Sequence, residues 1–187
     1  MPTVPSLDLV VKNVRVVRPN RPAVERLDLG VKDGRYARIA PEIPAADTAA
    51  VFDARDLLGF PGLVDAHTHV GIYAPLAEDA VTESKAAAMG GVTTMLTSWN
   101  PARRFGLGTK GDIAVGYDAD LALLDPARPF TVRAAESPSG QGYSPFEGQE
   151  LTGQVQATFL RGRLVYERGR ILGPPLGRYI KRPSREA

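Results

Sequence analysis

Short runs of alternating apolar and polar residues occupy both ends of the chain, and a different pattern lies between them. Leu7, Leu9 and Val11 alternate with Asp8 and Val10, Asn13 offers a turn, and Val14, Val16 and Val17 follow, which predicts a β-hairpin. A second hairpin is predicted in LDLGVKDGRYARIA. There Asp33-Gly34 suits a type I′ turn, whose two central residues both need positive φ. Its strands fall near 27–31 and 35–39. Later, residues 120–124 predict a strand closed by Pro126, and 130–134 predict another. ATFLRGRLVYERGRIL then reads as strand, turn at Arg161-Gly162, strand, and turn at Arg168-Gly169, ahead of a Pro/Gly-rich tail from Gly173. With both ends β in character, a β-sandwich shared between the two termini is the economical arrangement.

The middle has another rhythm. GFPGLVDAHTHV is an apolar strand that runs into polar residues. EDAVTESKAAAMGG is helical, with Thr82 able to cap, strong helix formers from Ala86 to Met89, and a stop at Gly90-Gly91. VTTML reads as a second buried strand. Strand, helix and strand at this spacing make one right-handed βαβ unit of a parallel sheet or barrel. Asn100 and Pro101 then suit the N-cap and first position of a short helix, PARRFGL. The expected fold class is mainly β with some α: a β-sandwich from 2–57 and 110–172, an α/β insertion over 58–109, and a C-terminal extension over 173–187.

Composition narrows the chemistry. The chain has 43% hydrophobic and 24% charged residues, as a folded globular protein does, and its 187 residues suffice for one ordinary domain with a small appendage. Lys and Arg number 23 against 21 Asp and Glu, a net +2 that does not point to nucleic acid. The basic excess lies late, from Arg161 to Arg185, where interleaved Glu167, Pro174, Pro175 and Pro183 suit a solvated extension or a subunit contact. The absence of cysteine rules out disulfides and thiolate metal sites and leaves His and carboxylates for any metal chemistry. No stretch approaches 18 apolar residues, and MPTVPSLDLVVKNVRVV lacks the pattern of a signal peptide, so the expectation is a cytoplasmic protein without a membrane partner.

His67 and His69, the chain's two histidines, follow the apolar strand with one residue between them. Residues i and i+2 of a strand share a face, so both imidazoles can reach one metal ion, although an H-x-H pair is also found simply as two polar residues at a strand end. Asp65, two residues earlier, can orient a histidine as an acceptor or merely close the strand. Lys85 reads as a solvated helix residue. Glu78, Asp79 and Glu83 can add an oxygen ligand, but acidic residues at a helix N-terminus also complement its dipole. Asp118 and Asp120 are accounted for by turn and strand-start roles. Tyr73 can contact a substrate or pack within its loop.

PGLVDAHTHV resembles the metal-binding strand of the amidohydrolase superfamily, and GGVTTML resembles the next barrel strand of its cyclic-amide members. These are the hydantoinases, dihydropyrimidinases, allantoinases and dihydroorotases. NPARRFGL, KGDIAVGYDADLALLDP and the run from SPFEG to GRYIKRP resemble the C-terminal region of the same group, with SPFEG and GRYIKRP closest to the hydantoinase and dihydropyrimidinase branch. The resemblance implies a composite β-domain flanking a (β/α)₈ barrel and hydrolysis of a ring C–N bond by metal-bound hydroxide. It implies His67 and His69 as two metal ligands, zinc or another divalent ion such as manganese or iron as cofactor, and a small cyclic amide as substrate. The family's remaining ligands, a carboxylated lysine, two further histidines and an aspartate, come from later barrel strands and have no counterpart here. A complete barrel takes roughly 250 residues, so 58–109 reads as a barrel remnant with a seam near 97–99. Its unpaired strands predict a homo-oligomer. A non-catalytic scaffold or oligomerisation module is the competing reading.

Overall fold

The computed structural model describes residues 6–19, 21–65, 74–95, 108–178 and 180. Eleven strands and one α-helix are found there: β1 (Leu9–Val16), β2 (Glu25–Lys32), β3 (Arg35–Ala40), β4 (Val51–Asp53), β5 (Leu58–Pro61), β6 (Leu63–Asp65), α1 (Leu76–Met89), β7 (Val92–Met95), β8 (Leu121–Thr131), β9 (Glu150–Leu160), β10 (Arg163–Glu167) and β11 (Arg170–Ile171). The protein is mainly β, with nine strands in one sheet and β6 and β7 in a second.

The large sheet runs β11-β10-β9-β8-β5-β1-β2-β3, with β4 added beside β1. The two ends of the chain meet where β5 pairs β1 in parallel and β8 antiparallel. β5 thus extends the large sheet up to Pro61. Three predicted turns lie where the sequence puts them: Asp33-Gly34 (φ 49° and 76°), Arg161-Gly162 (48° and 75°) and Arg168-Gly169 (44° and 86°).

Two expected breaks are absent. Asn13 makes no hairpin turn; it sits at φ 61° inside a continuous β1, at a bulge where the register with β2 shifts between Val11 and Val14. The bulge is held by one carboxylate of the paired strand β2 and one of β4. Asn13 N–H donates to Asp28 Oδ1 at 2.9 Å, and its Nδ2 donates to Asp53 Oδ1 at 3.0 Å. An Asn tolerates the left-handed region well enough to supply a bulge as readily as a turn. Pro126 likewise does not close a strand, because β8 continues to Thr131. β5 pairs β8 only over Leu121–Leu124, so Pro126 and Pro129 fall where one edge of β8 has no described neighbour to receive an N–H.

One sheet buries its own apolar face by curling over. Val14, Leu29, Tyr36, Ile113, Leu121, Leu123 and Phe159 share one core although they come from distant positions in the strand order. Phe52 of β4 meets Phe159 of β9 edge to face, with ring centroids 5.2 Å apart. Ala119 ties the two far turns together. Its N–H donates to Gly34 O at 2.8 Å and its carbonyl accepts from Gly162 N–H at 2.7 Å. Gly162 allows this approach, since a Cβ there would stand 2.6 Å from Val31 Cγ1. The expected two-layered β core from both termini therefore takes the form of a single continuous sheet folded onto itself.

The βαβ unit stands against this body. β6 and β7 are parallel, with Asp65 opposite Met95, and α1 crosses between them. Pro75 precedes α1, and its carbonyl receives the N–H groups of Glu78 and Asp79. Thr82 is not a cap; its hydroxyl donates to Asp79 O at 3.1 Å within the helix. Helix growth ends at Gly90-Gly91, where Gly91 takes φ 76°. Gly62 lets β6 approach β7, because a Cβ there would overlap the Thr93 side chain at 2.1 Å. Thr158 of β9 donates its hydroxyl to Ala88 O at 2.7 Å, fastening the end of α1 to the sheet.

Candidate functional site

The parallel pairing of β6 and β7 gives the site its geometry. Asp65 and Met95 are partners at the C-terminal ends of their strands, so the chain leaves both strands at one edge. In parallel sheets and barrels that edge is where loops assemble ligand sites. His67 and His69 follow β6 there in sequence, but they lie outside the described residues, as do Tyr73, the 97–99 seam, Asn100 and Pro101. Asp65 is half-buried at the strand end.

The acidic residues of α1 separate into different roles. Glu78 is exposed and Lys85 half-buried. Asp79 is buried, at 2% exposure. Glu83 is engaged elsewhere, accepting from Ser139 Oγ at 2.9 Å and from Gly140 N–H at 2.8 Å. Among the described residues, no group of three or more His, Cys, Asp or Glu side chains stands together in a way that could hold a metal ion.

Asp118 and Asp120 do more than start a strand. They flank the ammonium of Lys110 at 2.9 and 2.5 Å, and all three side chains are buried. Asp120 also accepts Arg161 N–H at 2.8 Å, and Arg178 lies 3.8 Å from Asp118. The sequence reading missed Lys110. Its trace was the pair Asp118 and Asp120 itself: two carboxylates at i and i+2 ahead of an apolar strand call for a buried cation. A second polar knot surrounds Asp28. Burial would raise its pKa, but N–H donation from Asn13, the Lys12 ammonium and Ile43 N–H together hold it below the ordinary 3.8. Tyr36 goes the other way: burial, then the charges of Asp120 and Asp112, push its phenol well above 10. Both knots fasten the sheet and stand apart from the β6–β7 edge.

No described helix is long and apolar enough to cross a membrane. The fold aligns with the structure of D-hydantoinase with a TM-score of 0.78 at 14% identity, covering 94% of this chain and 99% of that one. Dihydropyrimidinase from Brevibacillus agri aligns with a TM-score of 0.75 at 12% identity, covering 88% and 96%. These likenesses establish the fold class. In sequence, the amidohydrolase family model matches residues 96–165. An allantoinase of Rubrobacter xylanophilus is 46% identical over 91 residues, covering 49% of this chain and 20% of that protein. A dihydroorotase of Pyrococcus abyssi is 36% identical over 126 residues, covering 67% and 29%. The chain is a relative of the cyclic amidohydrolases. It spans between a fifth and three tenths of the length of these two curated relatives.

Proposed function

We propose that the chain serves a metal-dependent hydrolase of C–N bonds in cyclic amides, of the hydantoinase and dihydropyrimidinase kind. The observation that carries this reading is the parallel β6–β7 pair joined through α1, whose first strand ends at Asp65 and is followed in sequence by Ala66-His67-Thr68-His69. His67 and His69 would hold zinc or another divalent ion through two imidazoles, and Asp65 would orient one of them. A bound ion of this kind lowers the pKa of water toward ~7 and polarises a carbonyl oxygen. The chain's own contribution would be the two histidines that follow β6 in sequence, a strand anchored where Gly62 N–H donates to Asp120 O at 2.9 Å. Two imidazoles fall short of the three protein ligands of a catalytic zinc site, so turnover requires further ligands.

On this reading the expected barrel portion, 58–109, loses β5 to the large sheet and begins after Pro61, 2–57 with 110–172 is the rest of the β-domain and 173–187 an extension, in a cytoplasmic homo-oligomer. A second reading, a scaffold without activity of its own, is favoured by the engagement of Glu83 with Ser139 and Gly140, which removes one carboxylate from the ligand pool. The experiment is metal titration by calorimetry combined with hydrolysis of hydantoin, dihydrouracil, allantoin and dihydroorotate. Zinc bound by the chain and lost in His67→Ala and His69→Ala, with ring opening of any of the four, supports the hydrolase. Zinc affinity unchanged by both substitutions, with no ring opening, overturns it.

A further inference from the structure

α1 is a weakly buried helix. Among its described side chains the fully buried one is Asp79, an acid, and the apolar residues from Val81 to Met89 are half-buried. No described apolar side chain of α1 is fully buried, so polar contacts share in its attachment. Two polar fastenings to the β-domain are described. One is Thr158 to Ala88 O near the helix C-terminus. The other is a strap formed by residues 137–144, part of the loop that joins the short 3-10 turn Ala134–Glu136 to β9.

The strap lies along one turn of α1. Ser139 Oγ stands 2.9 Å from each carboxylate oxygen of Glu83, and Gly140 N–H donates to the same carboxylate at 2.8 Å. The Cβ position of Gly140 is 3.6 to 3.7 Å from Asp79 Oδ1, Glu83 Oε1 and Thr82 Oγ1, so the loop backbone rests directly on residues 79–83. Gln141 N–H donates back to Ser139 Oγ at 3.2 Å, which fixes the serine for its role.

We propose that this strap is a conformational clasp: Glu83 with Ser139 and Gly140 sets how often α1 lifts from the β-domain as a unit separate from the sheet. Charge-assisted hydrogen bonds are stronger than neutral ones, and here one carboxylate receives two donors from a segment remote in sequence. A helix whose described apolar side chains all stay partly exposed can open locally before global unfolding.

Native-state hydrogen exchange on the full chain tests this with Glu83→Ala, Ser139→Ala and Gly140→Ala. Alanine is the better helix former, so faster exchange in Glu83→Ala cannot be a propensity effect. The expected result is exchange at least ten-fold faster across residues 80–89 in Glu83→Ala, a smaller acceleration in Ser139→Ala, and unchanged rates in β1, β8 and β9. Gly140→Ala keeps its N–H and meets only ordinary contacts, so it should exchange like the parent. Unchanged helix rates in Glu83→Ala overturn the proposal. So does acceleration of sheet and helix together, or opening in Gly140→Ala as large as in Glu83→Ala.

Discussion

The ammonium of Lys110 stands 2.5 Å from the carboxylate of Asp120, with both side chains buried. Asp118 completes the group at 2.9 Å, and the three residues join the segment before β8 to the start of that strand. Asp120 has a second task, receiving Arg161 N–H from the β9–β10 turn.

Removing the cation leaves Asp120 without its ammonium partner and Asp118 with the more distant, exposed Arg178 at 3.8 Å. Breaking a buried ion pair from one side costs about 3–5 kcal/mol. Lys110→Met is therefore expected to lower the unfolding free energy by about that amount, read from urea denaturation of parent and variant. A loss under about 1 kcal/mol would show that the cluster contributes nothing beyond a surface pair.

Asp28 gives stability a pH dependence of known sign. Its folded-state pKa lies below the ordinary 3.8 because Asn13 N–H, Lys12 and Ile43 N–H outweigh the effect of burial. A depressed carboxylate pKa contributes stability that is fully present above the unfolded value and is lost as pH falls through the folded value. The melting temperature should accordingly fall as pH drops below about 3.8, and Asp28→Asn should fall less steeply over that range. Equal slopes in the two proteins would remove Asp28 from the account.

Two glycines are fixed by contact. A Cβ on Gly59 would stand 2.3 Å from Val14 Cγ1, and one on Gly62 would stand 2.1 Å from Thr93 Oγ1. Overpacking of a filled site costs typically about 1–3 kcal/mol, and both alanine variants should lose at least that much. They should differ in where the damage appears. Gly59→Ala strikes the large core through Val14, whereas Gly62→Ala separates β6 from β7, so hydrogen exchange should rise first in β1 and β8 for the former and in β6 and β7 for the latter.

What the sequence disclosed follows the range of the interactions involved. Asp33-Gly34, Arg161-Gly162 and Gly90-Gly91 act within a few residues, and each marks a true turn or helix end. The parallel βαβ unit was legible because its periodicity changes within a short span. Asn13 and Pro126 misled because the same residue types serve turns, bulges and free strand edges; partners far away in sequence decide among these. Asp28 and Asp53 reach Asn13 from 15 and 40 positions away. The closure of the sheet through Ala119, and Lys110 between two aspartates, are likewise products of long-range packing that no local pattern encodes. His67 and His69 were the most conspicuous chemistry in the sequence, and they lie outside the described residues.

The folding-over of one sheet predicts a sharp contrast along β9. Phe159 is buried at 2% exposure and meets Phe52 across the closure, while Leu151, near the start of the same strand, is 44% exposed. Truncating a buried phenylalanine to alanine costs about 3–5 kcal/mol, since the cavity adds to the lost transfer free energy. Surface substitutions are usually within about 0.5 kcal/mol. Phe159→Ala should therefore unfold at much lower urea concentration than the parent, and Leu151→Ser should be nearly silent. If Phe159 belonged only to the β8–β9 hairpin, Phe52→Ala and Phe159→Ala would add. Because the two rings touch, the double variant should cost less than the sum of the singles, by about 0.5–1.5 kcal/mol for an aromatic pair. Strict additivity in that cycle would mean that the sheet does not close where β4 meets β9.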